Sequence, residues 1–164
     1  MFRQEYAGLS IFEGLDPRQV NLLSPFMEEI HFKQDEIIFE QGQLADCLYI
    51  LLTGEVLVRF KPYDGPPLTV AKITPGGVFG WSSALGRDSY TSGALAEVDC
   101  AAYRIRHENL RRLCEAEPET ANILLDRLAG VIAERLRNTH NSILDMLNHG
   151  IETNGNGDKK KEAK

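Results

Sequence analysis

Between His31 and Ile105 the chain is a succession of short β-prone runs, each closed by residues that turn the backbone. The runs are residues 36–39, 47–52, 56–60, 68–73, 94–96 and 100–105, rich in Val, Ile, Leu, Tyr and Phe. The breaks are Gln41-Gly42, Thr53-Gly54, Asp64-Gly65-Pro66-Pro67, Pro75-Gly76-Gly77 and Glu97-Val98-Asp99. Segments this short cannot be stable helices, and a lone strand leaves its N–H and C=O groups unpaired. They must therefore pair with one another, and many short strands at this spacing predict an all-β sandwich or roll. Proline cannot serve a central ladder, so Pro66-Pro67 belongs to a hairpin loop.

The flanks follow a different period. Asp16-Pro17 reads as an N-cap followed by proline at the first helical position. Val20, Leu22, Leu23, Phe26, Met27 and Ile30 follow at helical spacing, which predicts a short amphipathic helix ending near Glu29. Residues 107–115 predict a second short helix, with Leu110 and Leu113 inside. Pro118 opens a third. There Leu125, Leu128, Ile132, Leu136, Ile143 and Leu147 recur at spacings of three, four and seven, interrupted at Thr139 and His140. A helix of about 30 residues runs roughly 45 Å, more than one small β domain can cover. Its apolar stripe is therefore expected to meet a partner helix, giving a homodimer. The domain is expected over residues 1–149, with its roll over 31–105 and its C-terminal helices over 107–149. Residues 150–164 read as a disordered, Lys-rich tail.

Charge and composition narrow the function classes. The net charge is −6, while the last eleven residues alone carry +2, which leaves −8 on the body. An acidic body is a poor electrostatic partner for a phosphate backbone. No apolar run approaches the roughly 18 residues of a membrane span. The N-terminus lacks a basic stretch and apolar block, so a cytoplasmic protein with no membrane contact is expected. Cys47, Cys100 and Cys114 are widely spaced and contain no CxxC pair, and they are expected to be free thiols packed as small hydrophobes. The four histidines, His31, His107, His140 and His149, include no HxH pair. A metal site of converging His and carboxylate is not expected, nor is a Ser-His-Asp elbow, a P-loop or a GxGxxG turn present. No catalytic residues are assigned, and the chain is not expected to be an enzyme.

Four features carry a family resemblance, three segments in order and spacing and the order of the elements. Ile38-Phe39-Glu40-Gln41-Gly42 resembles a segment before a family glycine. Asp46-Cys47-Leu48-Tyr49-Ile50-Leu51-Leu52-Thr53-Gly54-Glu55-Val56 resembles an aromatic-Ile strand with its turn glycine. Gly77-Val78-Phe79-Gly80 resembles the entry to a phosphate-binding cassette, and the helix–strands–helix–helix order is the fourth. Residues 10–148 thus resemble the cyclic-nucleotide-binding domains of catabolite-activator and Fnr-type regulators, cyclic-nucleotide-dependent kinases and gated channels. The resemblance implies a mainly β fold with flanking helices: a β-roll of double-stranded β-helix type, similar to the cupin jelly roll, plus a long C-terminal helix. It also implies a regulatory domain with a ligand site at Phe79, Gly80, Trp81, Ser82, Ser83, Ala84, Leu85, Tyr90, Thr91 and Ser92, and cAMP or cGMP as the ligand class.

The cassette departs from the family pattern at its two charged positions. Nucleotide-binding members resemble Phe-Gly-Glu-Leu-Ala/Gly-Leu followed by Arg-Ser/Thr-Ala, in which the acid takes the ribose hydroxyl and the arginine the cyclic phosphate. Here Trp81 stands in place of the acid and Tyr90 in place of the arginine, while Thr91 keeps the hydroxyl. A charge-assisted hydrogen bond is worth about 1.5–3 kcal/mol, so losing two lowers affinity on the order of 10²- to 10⁴-fold. Arg87, three residues before Tyr90, is the one nearby cation. Two functions follow. In one, a small ligand binds in an altered mode and shifts the long helix. In the other, Trp81 and Tyr90 fill the site and the long helix serves dimerisation or a protein partner. A third reading is transcriptional regulation through a partner. Helix-turn-helix members add about 70 residues after the long helix, and the short tail here holds no recognition helix, so direct DNA binding is not expected.

Overall fold

The computed structural model describes residues 3–82 and 84–155. The chain separates into two compact units, Met1–Val131 and Ile132–Lys164. The first holds eight strands: β1 (Glu28–Phe32), β2 (Ile37–Phe39), β3 (Cys47–Thr53), β4 (Val56–Phe60), β5 (Leu68–Ile73), β6 (Val78–Phe79), β7 (Gly93–Ala96) and β8 (Cys100–Arg106). They form two antiparallel four-stranded sheets, one ordered β1-β8-β3-β6 and the other β2-β7-β4-β5. The expected roll is therefore present, and apart from the β4–β5 hairpin consecutive strands lie in opposite walls.

Strand β3 explains how the roll meets the helices. Its residues 47–52 are all buried, as a short continuous apolar run between turns requires. Tyr49 and Leu51 face the roll interior. Leu48 and Ile50 face the other way, onto an apolar seam of about 10 Å³ shared with Ile11, Leu110, Leu124 and Leu128. At the far end of β3, Gly54 turns the chain from the first sheet into β4 of the second, with φ +85°. A Cβ there would lie 2.5 Å from the Cys100 Cβ and 2.6 Å from the Asp99 carbonyl oxygen, so both conformation and space demand glycine.

Three helices flank the sheets. Helix α1 (Pro17–Leu23) starts with a capping box: the Gln19 N–H donates to Asp16 Oδ1 at 2.8 Å, and the Asp16 N–H donates to Gln19 Oε1 at 3.0 Å. It ends at Leu23, short of the expected Glu29. Pro25 supplies no N–H, the next three residues form a 3-10 turn, and β1 begins at Glu28. Helix α2 (His107–Ala116) and helix α3 (Pro118–Gly155) follow β8 directly. Residues 150–155, read from sequence as tail, continue α3, and residues 156–164 lie outside the described residues. Within the first unit, α3 contributes Ala121, Leu124 and Leu128 to the core. Arg127 Nε donates to the Glu13 carbonyl at 2.8 Å, tying the N-terminal segment to α3.

Candidate functional site

The segment expected to hold a ligand leaves β6 through Gly80, whose φ is +72°. A Cβ on Gly80 would sit 3.1 Å from the Cys47 carbonyl oxygen, 3.1 Å from Tyr49 Cδ2 and 3.2 Å from Phe39 Cε1. Glycine is required here because three core groups crowd the backbone. The Leu85 N–H donates to the Trp81 carbonyl at 3.1 Å, and the Arg87 N–H donates to the Ser82 carbonyl at 3.0 Å. Ser82 is buried, Trp81 and Ala84 are half-buried, and Leu85 and Arg87 are exposed. Ser83 lies outside the described residues.

The return segment is stitched to the loop between β2 and β3. The Gly42 N–H donates to the Tyr90 carbonyl at 2.8 Å. The Tyr90 N–H donates to the Gln43 carbonyl at 3.0 Å, and the Ala45 N–H donates to the Asp88 carbonyl at 2.9 Å. This pairing aims Tyr90 inward. Its ring stacks on Phe39 with centroids 3.8 Å apart and planes 15° apart. Its hydroxyl donates to the Cys47 carbonyl at 2.7 Å and accepts the Cys47 N–H at 3.2 Å. Tyr90 is 3% exposed, a core residue. Thr91 is exposed and Ser92 half-buried just beyond it.

Around Tyr90 the roll interior is aromatic. Tyr49 stacks on Phe79 at 5.0 Å and on Phe39 at 5.7 Å, and Phe32 meets Tyr49 edge-on at 6.3 Å. Burial pushes the Tyr49 hydroxyl up to about 12 and the Tyr90 hydroxyl higher still above the ordinary 10.0. The Cys47 thiol is raised to about 11, by burial first and then by neighbouring Asp46. These groups stay protonated at neutral pH, so Cys47 offers no thiolate nucleophile there. Cys47 and Cys100 are buried and Cys114 half-buried, all as free thiols.

The expected site residues thus divide into three groups. Phe79, Gly80 and Tyr90 converge on the packed interior, Ser82 is buried, and Trp81, Ala84 and Ser92 are half-buried. Leu85 and Thr91 point to solvent. Sequence reading overlooked Phe39, Tyr49 and the Cys47 main chain as the partners of Tyr90. The signal available was the run of aromatics at inward positions of β2, β3 and β6. On the long helix, Leu128 is 5% exposed and Leu125 is half-buried on the apolar seam. Leu128 belongs to the first unit's own core, and Leu125 lines the seam beside it. Ile132 is half-buried, Leu136 and Leu147 are exposed, and the side chain of Ile143 lies outside the described residues.

A model of the cyclic nucleotide-binding domain matches residues 29–117, the segment that holds both sheets and the first residues after β8. The chain belongs to the cyclic nucleotide-binding domain family. Among relatives, it is 30% identical to a cyclic AMP receptor protein of Thermus thermophilus, over 79% of this chain and 58% of the relative. It is 27% identical to a CRP-like cAMP-activated global transcriptional regulator of Mycobacterium tuberculosis, over 86% of this chain and 61% of the relative. The chain therefore spans about three-fifths of these curated relatives. A cyclic nucleotide-binding domain from Methylobacillus flagellatus superposes with a TM-score of 0.80 at 24% identity, covering 87% of this chain and 83% of that one. Cyclic nucleotide-binding domains thus share the roll and helix order found here. Among the described residues no helix is long and apolar enough to cross a membrane.

Proposed function

We propose that this chain is a non-enzymatic regulatory domain of the cyclic nucleotide-binding family whose interior site is closed by its own side chains, and that it signals through α3. The observation that carries this reading is Tyr90. It occupies the roll interior, stacked on Phe39 and bonded through its hydroxyl to both main-chain groups of Cys47. A cyclic phosphate entering there would have to expel a satisfied, buried tyrosine and would meet no arginine in its place. The partner is a second copy of the chain, meeting it along Ile132, Leu136, Ile143 and Leu147. Exposed Leu136 and Leu147 support that stripe.

Thermal unfolding in the presence of cAMP or cGMP tests the reading. A ligand at 100 times its dissociation constant stabilises by about 2.7 kcal/mol, a rise of roughly 5–10 °C for a domain this size. The expected shift at millimolar nucleotide is below about 1 °C. A rise of the larger size would overturn the closed-site reading.

A second reading rests on Trp81, which is half-buried where the family carries its acid. Its indole offers a flat face on which a base can stack, with exposed Thr91 as a nearby hydroxyl. In that case cAMP or cGMP quenches the fluorescence of this single tryptophan in a saturable way. A spectrum unchanged at millimolar nucleotide rejects it.

A further inference from the structure

Along the second sheet runs a groove of about 280 Å³ whose lining also includes Phe39 and Ala94 of the roll core. The strand register fixes which side chains face it. Val56–Ala96 and Val58–Ala94 are cross-strand pairs of β4 and β7 whose members pack in or against the roll core. The next pair, Arg59–Gly93, therefore faces the opposite side. Arg59 and Lys61 both line the groove, and Gly93 contributes no side chain between them and β2. Ile37, 52% exposed, and Pro67 form apolar flanks. One wall is held in place by Gln41. Its Oε1 accepts the Lys61 N–H at 2.8 Å, and its Nε2 donates to the Lys61 carbonyl at 3.2 Å.

The body is acidic, yet this groove is lined by two cations. On an acidic body, Arg3, Lys33, Lys72, Arg104 and Arg127 each reach a carboxylate. Arg59 and Lys61, like Arg18, Arg87, Arg106 and Arg112, meet none among the described residues, although Glu40 lines the same groove. Two cations side by side repel each other, and Arg59 is half-buried, where the repulsion is less screened than in open water. An anion seated between them relieves that cost, and a guanidinium beside an ammonium suits the oxygens of a phosphate. Glu40, an acceptor only, suits hydroxyl donors on the same molecule.

We propose that this groove binds a small hydroxyl-bearing phosphate monoester of sugar-phosphate or mononucleotide size. Its phosphate is held by Arg59 and Lys61, its hydroxyls by Glu40, and its carbon skeleton lies over Gly93 between Ile37 and Pro67.

Calorimetric titration of the full chain with ribose 5-phosphate, AMP and inorganic phosphate at low ionic strength tests it. The expected result is saturable one-to-one binding of ribose 5-phosphate or AMP. Affinity should fall at least about tenfold in the Arg59→Gln/Lys61→Gln double variant, the loss of two charge-assisted contacts. Glu40→Gln should weaken ribose 5-phosphate and leave inorganic phosphate unaffected or tighter. The Gln side chains keep the aliphatic stems, and an unchanged melting temperature establishes that the double variant is folded. An Arg18→Gln/Arg112→Gln control, which removes two exposed cations from helices, should leave binding intact. The proposal is overturned if neither ester binds at about 10 mM, a free energy of under 3 kcal/mol. It is equally overturned if the control weakens binding as much as the groove variant, or if the groove variant binds undiminished.

Discussion

The Tyr90 hydroxyl holds the N–H and the carbonyl of Cys47 at the point where β3 begins. Tyr90→Phe keeps the ring stack and strands both groups in an apolar interior, at a cost of about 1–3 kcal/mol. Urea denaturation should register that loss with an unchanged slope. The same burial makes stability sensitive to alkali. Tyr49, Tyr90 and Cys47 all hold their protons more tightly folded than unfolded. Their contribution is complete below the ordinary values of 9.0 for the thiol and 10.0 for the phenols and is lost as pH rises above them. Across that window the unfolded chain binds fewer protons than the folded one, so stability falls by about 1.4 kcal/mol per pH unit for each such group. Phenolate absorbance from Tyr49 and Tyr90 should therefore appear together with loss of the folded signal, between about pH 10 and 12. A separate ionisation step that precedes unfolding would contradict the packed interior.

At the level of elements, the β3–β4 turn is the most exacting. Gly54→Ala forces a positive φ on a side chain and drives its Cβ into Cys100 and Asp99. A destabilisation of about 2–4 kcal/mol is expected by chemical denaturation, more than strain alone would cause. Turn residues of this kind made β4 and β5 legible to the residue, since Gly54 and Pro66-Pro67 bracket them in sequence. Strand β1 was not legible. Met27 and Ile30 continue the helical spacing of α1, and only Pro25 signals the break. Strand β6 is two residues long, too short for any periodicity, and reads as part of the cassette. The cassette itself was legible as a departure: Trp81 and Tyr90 were visibly out of place. That Tyr90 closes on Phe39 and Cys47 was not, because those contacts join residues about 40 to 50 positions apart and sequence spacing carries no record of them.

For the whole molecule, α3 changes character along its length. Its beginning, through Leu124 and Leu128, completes the core of Met1–Val131. Later, Leu136, Leu144 and Leu147 are exposed apolar residues on the same helix. Leu136→Asp combined with Leu147→Asp should convert a dimer to a monomer, halving the mass in sedimentation. The melting temperature of the first unit should change by no more than about 1–2 °C, as for surface substitutions. The order of the strands has a further consequence. Among the described strands only β4 and β5 pair with a neighbour in sequence, while β1 waits for β8, and Glu28 finds Arg104 across 76 positions. Loop closures of that length must be completed before the long-range pairs can stabilise them, so folding belongs to the slow, millisecond-to-second class of β proteins. During synthesis from the N-terminus, neither sheet can assemble until its late strand, β7 or β8, has left the ribosome. Until then β1 and β2, which bring Phe32 and Phe39 to the roll, stay unpaired, and it is in this interval that the chain is most exposed to aggregation.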